Sequence, residues 1–178
     1  MTLDPMEPLT PRFRRVELVA QTEPGEERDR KWAERAPLVT REIDASQRAL
    51  AALLTVIRER VGRPIRVTSG LRPPINAGAG ARSQHIAGQA ADIQVDGMTP
   101  RELANLIRGI NWSKHGDGSG PRQVIAETKA GEVDLKRAMG RGSGRWVHVA
   151  ILGPGFGPTS SRWLETPDGK AYRPLGSA

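Results

Sequence analysis

The chain contains no cysteine. Without a thiol, a disulfide framework and a thiolate metal site are both excluded, so any bound metal must be held by histidine and carboxylate. The redox compartment stays open, because a cysteine-free protein tolerates either setting. Aromatic residues make up only 4% of the chain and are not interleaved with the arginines. The stacking platforms of nucleic-acid binders are therefore missing, and no nucleic-acid partner is expected. No stretch approaches the roughly 18 apolar residues of a membrane span, so none is expected. The opening residues, Met1 to Pro8, lack a basic start followed by an apolar run. A signal peptide is accordingly not expected, and work outside the cytoplasm would need another route of release. Histidine is also scarce: His85, His115 and His148 are the full set.

The 178 residues suffice for one domain with a real core. Twenty glycines and fourteen prolines imply long irregular connections. The net charge of +7 favours acidic partners such as an anionic cell-wall polymer, and reads equally as an Arg-rich solvated surface.

Residues 1–40 are Pro-rich and charged and read as an N-terminal arm packing on the domain. Residues 21–37 read as a solvated loop or short helix around Trp32. From 41 to 61, Ile43, Leu50, Leu53, Leu54, Ile57 and Val61 recur at helical spacing, with Thr40 as cap and Gly62 and Pro64 as stop signals. Residues 65–69 alternate and are rich in β-branched side chains, which predicts a strand. Residues 91–95 predict a second, with Ala91, Ile93 and Val95 facing the core and Asp92 and Gln94 facing away. Thr99-Pro100-Arg101-Glu102 is a capping box, and it opens a helix over about 100–109 that presents Leu103, Leu106 and Ile107. Residues 123–127 and 145–152 predict two further strands, the latter with Val147, Val149 and Ile151 on one face and Trp146, His148 and Ala150 on the other. Residues 153–178 form a Gly/Pro-rich tail that Trp163, Leu164, Tyr172 and Leu175 could pin to the domain.

Three of these strands each set a chemically capable residue opposite their apolar side: Asp92, Glu127 and His148. His85 stands in the loop entering the Asp92 strand, seven residues ahead of that aspartate. Two histidines and one carboxylate are the ligand set of a catalytic zinc site that leaves a fourth position open. On spacing alone, the same residues also read as hydrogen-bonded or surface side chains. His115 reads as an exposed loop residue.

Ser83-x-His85-x-x-Gly88-x-Ala90-x-Asp92 resembles the signature of the zinc D-alanyl-D-alanine carboxypeptidases, members of the hedgehog-type peptidoglycan metallopeptidases. Val67-Thr-Ser-Gly-Leu-Arg72-Pro-Pro-x-Asn76 is similar to the family's Ser-Gly-Tyr-Arg stretch, and Trp146-Val-His148-Val resembles its second ligand strand. The likeness runs from the Leu9-Thr-Pro-x-Phe13 arm to about residue 152, closest in flavour to phage and prophage members. It implies an α+β fold, a single domain in which a small antiparallel sheet packs on helices with the zinc site on the open sheet face. The domain itself would span 41–152. The resemblance implies zinc on His85, Asp92 and His148, Arg72 steadying an anionic intermediate and contacting substrate, and Ser83 contacting substrate or orienting its loop. The activity implied is hydrolysis, by a zinc-activated water, of an amide in the stem peptide of peptidoglycan, by a carboxypeptidase or related endopeptidase. A monomer is expected, made in the cytoplasm and acting at the bacterial cell wall after phage-type release or as a virion component.

One position departs from the pattern. Many members carry a general-base Glu or Asp three residues before the last histidine, where this chain has Arg145. An arginine cannot accept a proton. Glu127 is the replacement expected from its strand and face, with Asp117, Glu132 and Asp134 as loop alternatives. The contrasting reading is a non-catalytic zinc-containing phage structural or cell-wall-binding module. Bond specificity would lie in the loops 111–122 and 128–144.

Overall fold

The structure, a computed structural model, describes residues 3–74, 83–116, 120–127, 146–151, 163–166 and 173–175. Along the chain the elements are β1 (Pro8–Thr10), β2 (Phe13–Arg14), α1 (Arg15–Val19), α2 (Glu26–Arg35), α3 (Arg41–Val61), β3 (Arg66–Ser69), β4 (Ala90–Gln94), α4 (Pro100–Arg108), β5 (Gln123–Glu127), β6 (Trp146–Ala150), β7 (Trp163–Thr166) and β8 (Arg173–Pro174). The fold is α+β and forms a single domain.

The long helix α3 begins where the Thr40 hydroxyl accepts from the Ile43 N–H at 3.3 Å. It stops at Gly62, whose φ of 70° lies in the left-handed region that glycine enters without a Cβ penalty. Acidic residues in its first turn and arginines in its last complement the helix dipole. Leu50, Ala51, Leu53, Leu54 and Ile57 bury one stripe of it. In α4 both halves of the expected capping box form, at 3.1 Å and 2.8 Å between Thr99 and Glu102. Its buried face is Leu103, Ala104 and Ile107, while Leu106 is only half-buried. The buried stripe thus takes in Ala104 in place of the expected Leu106.

Six strands form the main sheet in the order β3-β4-β6-β5-β7-β8. The β3-β4-β6-β5 part is antiparallel throughout. The tail adds β7, which runs parallel to β5, and β8, antiparallel to β7. Val67, Ala91, Ile93, Val95, Val124, Ala126, Val147 and Val149 join the α3 and α4 stripes in one apolar core. Alternation sends the intervening residues, Asp92, Ile125, Glu127, Trp146 and His148, to the opposite face. The strands therefore present a helix-covered apolar face and a second face that carries the polar residues.

The N-terminal residues contribute to that same core through Phe13 and Leu18, each 1% exposed. Arg15, also 1% exposed, donates to Glu7 at 2.7 Å and to Asp44 of α3, and Arg48 donates to Glu7 at 2.6 Å. This cluster fastens the arm to α3. Residues 26–35 settle the alternative around Trp32 in favour of a helix. Thr22 lies along the outer rim of β3: its N–H donates to the Val67 carbonyl and its hydroxyl accepts from the Val67 N–H, both at 2.9 Å. Among the described residues no helix is long and apolar enough to cross a membrane.

Candidate metal centre

β4 and β6 pair in a register that sets Asp92 directly opposite His148, and β5 places Ile125 on the other side of His148. Side chains in register point to one face, so Asp92 and His148 meet there. His85 reaches them from the turn that precedes β4. That turn is held by the N–H of Ile86 on the Ser83 carbonyl, 3.0 Å, and the N–H of Gln89 on the Gln84 carbonyl, 2.9 Å. It is anchored to the rest of the fold by the Arg72 N–H on the His85 carbonyl, 3.2 Å, and the Ile151 N–H on the Gln89 carbonyl, 2.9 Å. Gly88 takes a φ of 66° in it, and a Cβ there would lie 2.9 Å from Ile43 Cγ2.

His85, Asp92 and His148 are 3%, 2% and 8% exposed. His85 Nε2 is 3.2 Å from His148 Nδ1 and 3.3 Å from Asp92 Oδ1, and His148 Nδ1 is 3.1 Å from that same oxygen. The outward nitrogens settle what these three atoms carry. His85 Nδ1 lies 2.8 Å from the Gly70 carbonyl, and His148 Nε2 lies 3.1 Å from Gln84 Oε1. Both partners are oxygens that only accept, so in the neutral imidazoles the protons sit on the outward nitrogens. Two nitrogen lone pairs and a carboxylate oxygen then converge on one point, an arrangement that calls for a cation. Ligands at about 2.0–2.1 Å from a tetrahedral zinc stand roughly 3.3 Å from one another, and the three observed separations match that edge. The group could hold a metal ion.

The other oxygen of Asp92 is held by the Arg72 guanidinium, whose Nε donates to Ser69 Oγ at 2.9 Å. Burial alone would raise the Asp92 carboxyl. The hydrogen bonds and charges of His148 and His85 overcome it and leave the group far below the usual carboxylate range. Asp92 is therefore ionised. Gly70 brings its carbonyl to His85 by backing against α1: a Cβ at Gly70 would lie 1.9 Å from the Leu18 carbonyl oxygen, and the Leu71 N–H donates to that oxygen at 2.8 Å.

Glu127 pairs with Trp146, two residues before His148, and so stands diagonal to that histidine on the same face. Burial pushes its carboxyl up, and the charge of Asp92 adds to the effect, while His148, a hydrogen bond from Trp146 and Arg72 pull it down; the net direction is upward. Ser83 is half-buried at the head of the His85 turn. His115 does not join the group: it is half-buried, and its ring sits edge-on to Trp112 with centroids 6.3 Å apart. Asn76, Asp117, Glu132, Asp134, Arg145 and Tyr172 lie outside the described residues. The sequence alone did not single out Gln84, Ser69 or the Gly70 carbonyl. Of these only Gln84 had a usable signal, its place beside His85.

No curated protein and no solved structure matches the chain. Against the sequence patterns of known families, residues 13–124 match the one described as Peptidase M15. That span is well over half of the chain and contains Arg72, Ser83, His85 and Asp92. Its members are zinc-dependent peptidases, and the cluster built by β4, β6 and the His85 turn has the ligand chemistry such an enzyme needs. The chain belongs to the Peptidase M15 family, the zinc D-alanyl-D-alanine carboxypeptidases.

Proposed function

We infer that this chain is a zinc peptidase acting on the stem peptide of bacterial peptidoglycan, as a D-Ala-D-Ala carboxypeptidase or a related endopeptidase. The observation that carries the reading is the convergence of His85 Nε2, His148 Nδ1 and Asp92 Oδ1 at 3.1–3.3 Å, with both outward imidazole nitrogens already committed to acceptors. These three residues would hold the zinc. Bound there, zinc supplies a Lewis acid that polarises a carbonyl and acidifies a water. His85 and His148 are fixed in orientation through Gly70 and Gln84. Asp92 keeps one oxygen free for the ion because Arg72 holds the other.

Glu127 takes the general-base role that Arg145 cannot fill. Diagonal neighbours on one sheet face are about 7–8 Å apart, a gap that a glutamate side chain spans toward His148. A carboxylate placed there can accept a proton from the attacking water and pass it to the leaving amine. Arg72, one-third exposed, balances negative charge developing beside Asp92, and Ser83 contacts the peptide at the mouth of the turn. The basic balance of the chain suits an acidic wall substrate. Action at the cell wall after phage-type release, or as part of a virion, agrees with this chemistry.

The test is turnover of a defined muropeptide by wild type, Glu127→Gln and His148→Ala, each with measured zinc content. Metal-dependent release of D-Ala or of new amines, lost in both variants, is the expected result. No release from any stem peptide by a fully zinc-loaded wild type would sink the peptidase reading and leave a zinc-containing binding module.

A further inference from the structure

We propose that Gln84 is a positioning residue for the metal centre, the outer partner that makes His148 present its Nδ1 to the ion. This inference rests on the metal reading above and deepens it. Gln84 and His85 are neighbours on one turn, yet they serve different histidines. His85 points its Nε2 into the cluster, while Gln84 Oε1 reaches 3.1 Å to the far side of His148, a residue 64 positions away. The peptide group between Gln84 and His85 thus carries two attachments to the same centre.

The requirement comes from His148. Through its position on β6, opposite Asp92, this residue turns its nearer nitrogen, Nδ1, to the cluster. A neutral imidazole carries one proton, and Nδ1 is free for a metal only when that proton is on Nε2. His85 has a backbone carbonyl, Gly70, to fix the complementary choice at 2.8 Å. For His148 the recorded acceptor at Nε2 is the Gln84 side-chain oxygen. Without it, the proton can move to Nδ1 and donate to Asp92 Oδ1 at 3.1 Å, a hydrogen bond that occupies the position of the ion. Outer partners of this kind commonly raise metal affinity about 10–100-fold by fixing tautomer and ring orientation.

The geometry also separates Gln84 from a packing role. The side chain is half-buried, and the backbone of its turn is secured independently by the Gln89 N–H on the Gln84 carbonyl and the Arg72 N–H on the His85 carbonyl. A leucine would keep the turn and lose the acceptor. A glutamate would keep an acceptor oxygen and add charge.

The experiment measures zinc affinity by chelator competition for wild type, Gln84→Leu and Gln84→Glu, with metal-free thermal stability recorded alongside. Expected are zinc binding about 10–100-fold weaker in Gln84→Leu, binding within about threefold of wild type or tighter in Gln84→Glu, and unchanged metal-free unfolding. Equal affinity of wild type and Gln84→Leu overturns the proposal, as does a Gln84→Glu protein as weak as Gln84→Leu. A wild type that binds no zinc overturns the metal reading itself, and this proposal with it. A second measurement needs no variant: side-chain nitrogen–proton correlation spectra of the three histidines in the zinc-loaded wild type. The His148 proton is expected on Nε2 and protected from exchange; a proton on Nδ1 overturns the assignment.

Discussion

Asp92 and His148 are direct cross-strand partners of β4 and β6, and their Oδ1 and Nδ1 atoms lie 3.1 Å apart. The sheet register therefore assembles two-thirds of the candidate metal set before any loop is involved. Asp92→Ala and His148→Ala are each expected to weaken zinc binding by more than about a hundredfold, beyond the range seen for outer partners. His115→Ala is the control and leaves affinity unchanged. Equal losses in all three, read by chelator competition, would remove the assignment.

Zinc binding to the folded state alone must raise its stability. At free zinc of about 100 times the dissociation constant the gain is about 2.7 kcal/mol. For a chain of this size that is on the order of 5–10 °C in Tm. The shift is expected in wild type, reversed by a chelator, and absent in Asp92→Ala. A scanning calorimetry trace insensitive to zinc would contradict it.

Gly70 and Gly88 hold the two approaches to His85 and fail differently when enlarged. At Gly70 an added Cβ meets backbone, the Leu18 carbonyl oxygen at 1.9 Å, which has little freedom to move. Gly70→Ala is expected to destabilise by about 3 kcal/mol, and to weaken zinc binding because the carbonyl that fixes His85 is displaced. At Gly88 the contacts are longer, the side chains of Ile43 and Gln47 at 2.9 Å and 3.2 Å and the Ile43 carbonyl oxygen at 3.2 Å, and the positive φ adds strain. Gly88→Ala is expected to destabilise by about 1–2 kcal/mol. Denaturant unfolding of metal-free protein ranks the two.

The Arg15 cluster sets an acid limit on the fold. Hydrogen bonds from Arg48 and Arg15 hold the Glu7 carboxyl below its ordinary value. At Asp44 burial acts upward, and the hydrogen bonds from Arg15 and Arg48 outweigh it, leaving a net lowering. Both groups bind protons more weakly when folded, so the unfolded chain takes up more protons in acid and stability rises with pH there. The contribution is fully present above the unfolded values of about 3.9 and 4.3 and is lost as pH falls through the lower folded values. Arg15→Ala is expected to flatten the fall in Tm between pH 5 and pH 2. At pH 7 it should destabilise by about 2 kcal/mol, less than the roughly 3–5 of a fully buried pair, since Arg48 remains and both carboxylates are partly exposed.

Helical and strand periodicity is local, so α3, α4, β4, β5 and β6 could be read from the chain almost to the residue. Alternation likewise put Asp92, Glu127 and His148 on the sides opposite their apolar neighbours. Pairing is not local. Nothing in the sequence says that His148 stands across from Asp92 rather than one pair further along, or that Glu127 lies diagonal to it. Gln84 escaped notice for the same reason, because its acceptor role depends on a histidine 64 positions away. The tail strands were missed because Trp163–Thr166 is too short for a visible alternation and is paired in parallel with β5 across a long separation in sequence.

Thr22 gives the β3 rim a property that matters for any peptide substrate. Extended peptides are often captured as an extra strand on an open sheet edge. On β3 the outward N–H and carbonyl of Val67 are already taken by Thr22. The same contacts leave a stray strand nothing to template on at that residue. At Val67 a bound peptide then has no free backbone group to pair with, and recognition there would fall to its side chains and termini over the sheet face. Selectivity on the β3 side would follow residue chemistry in place of backbone complementarity.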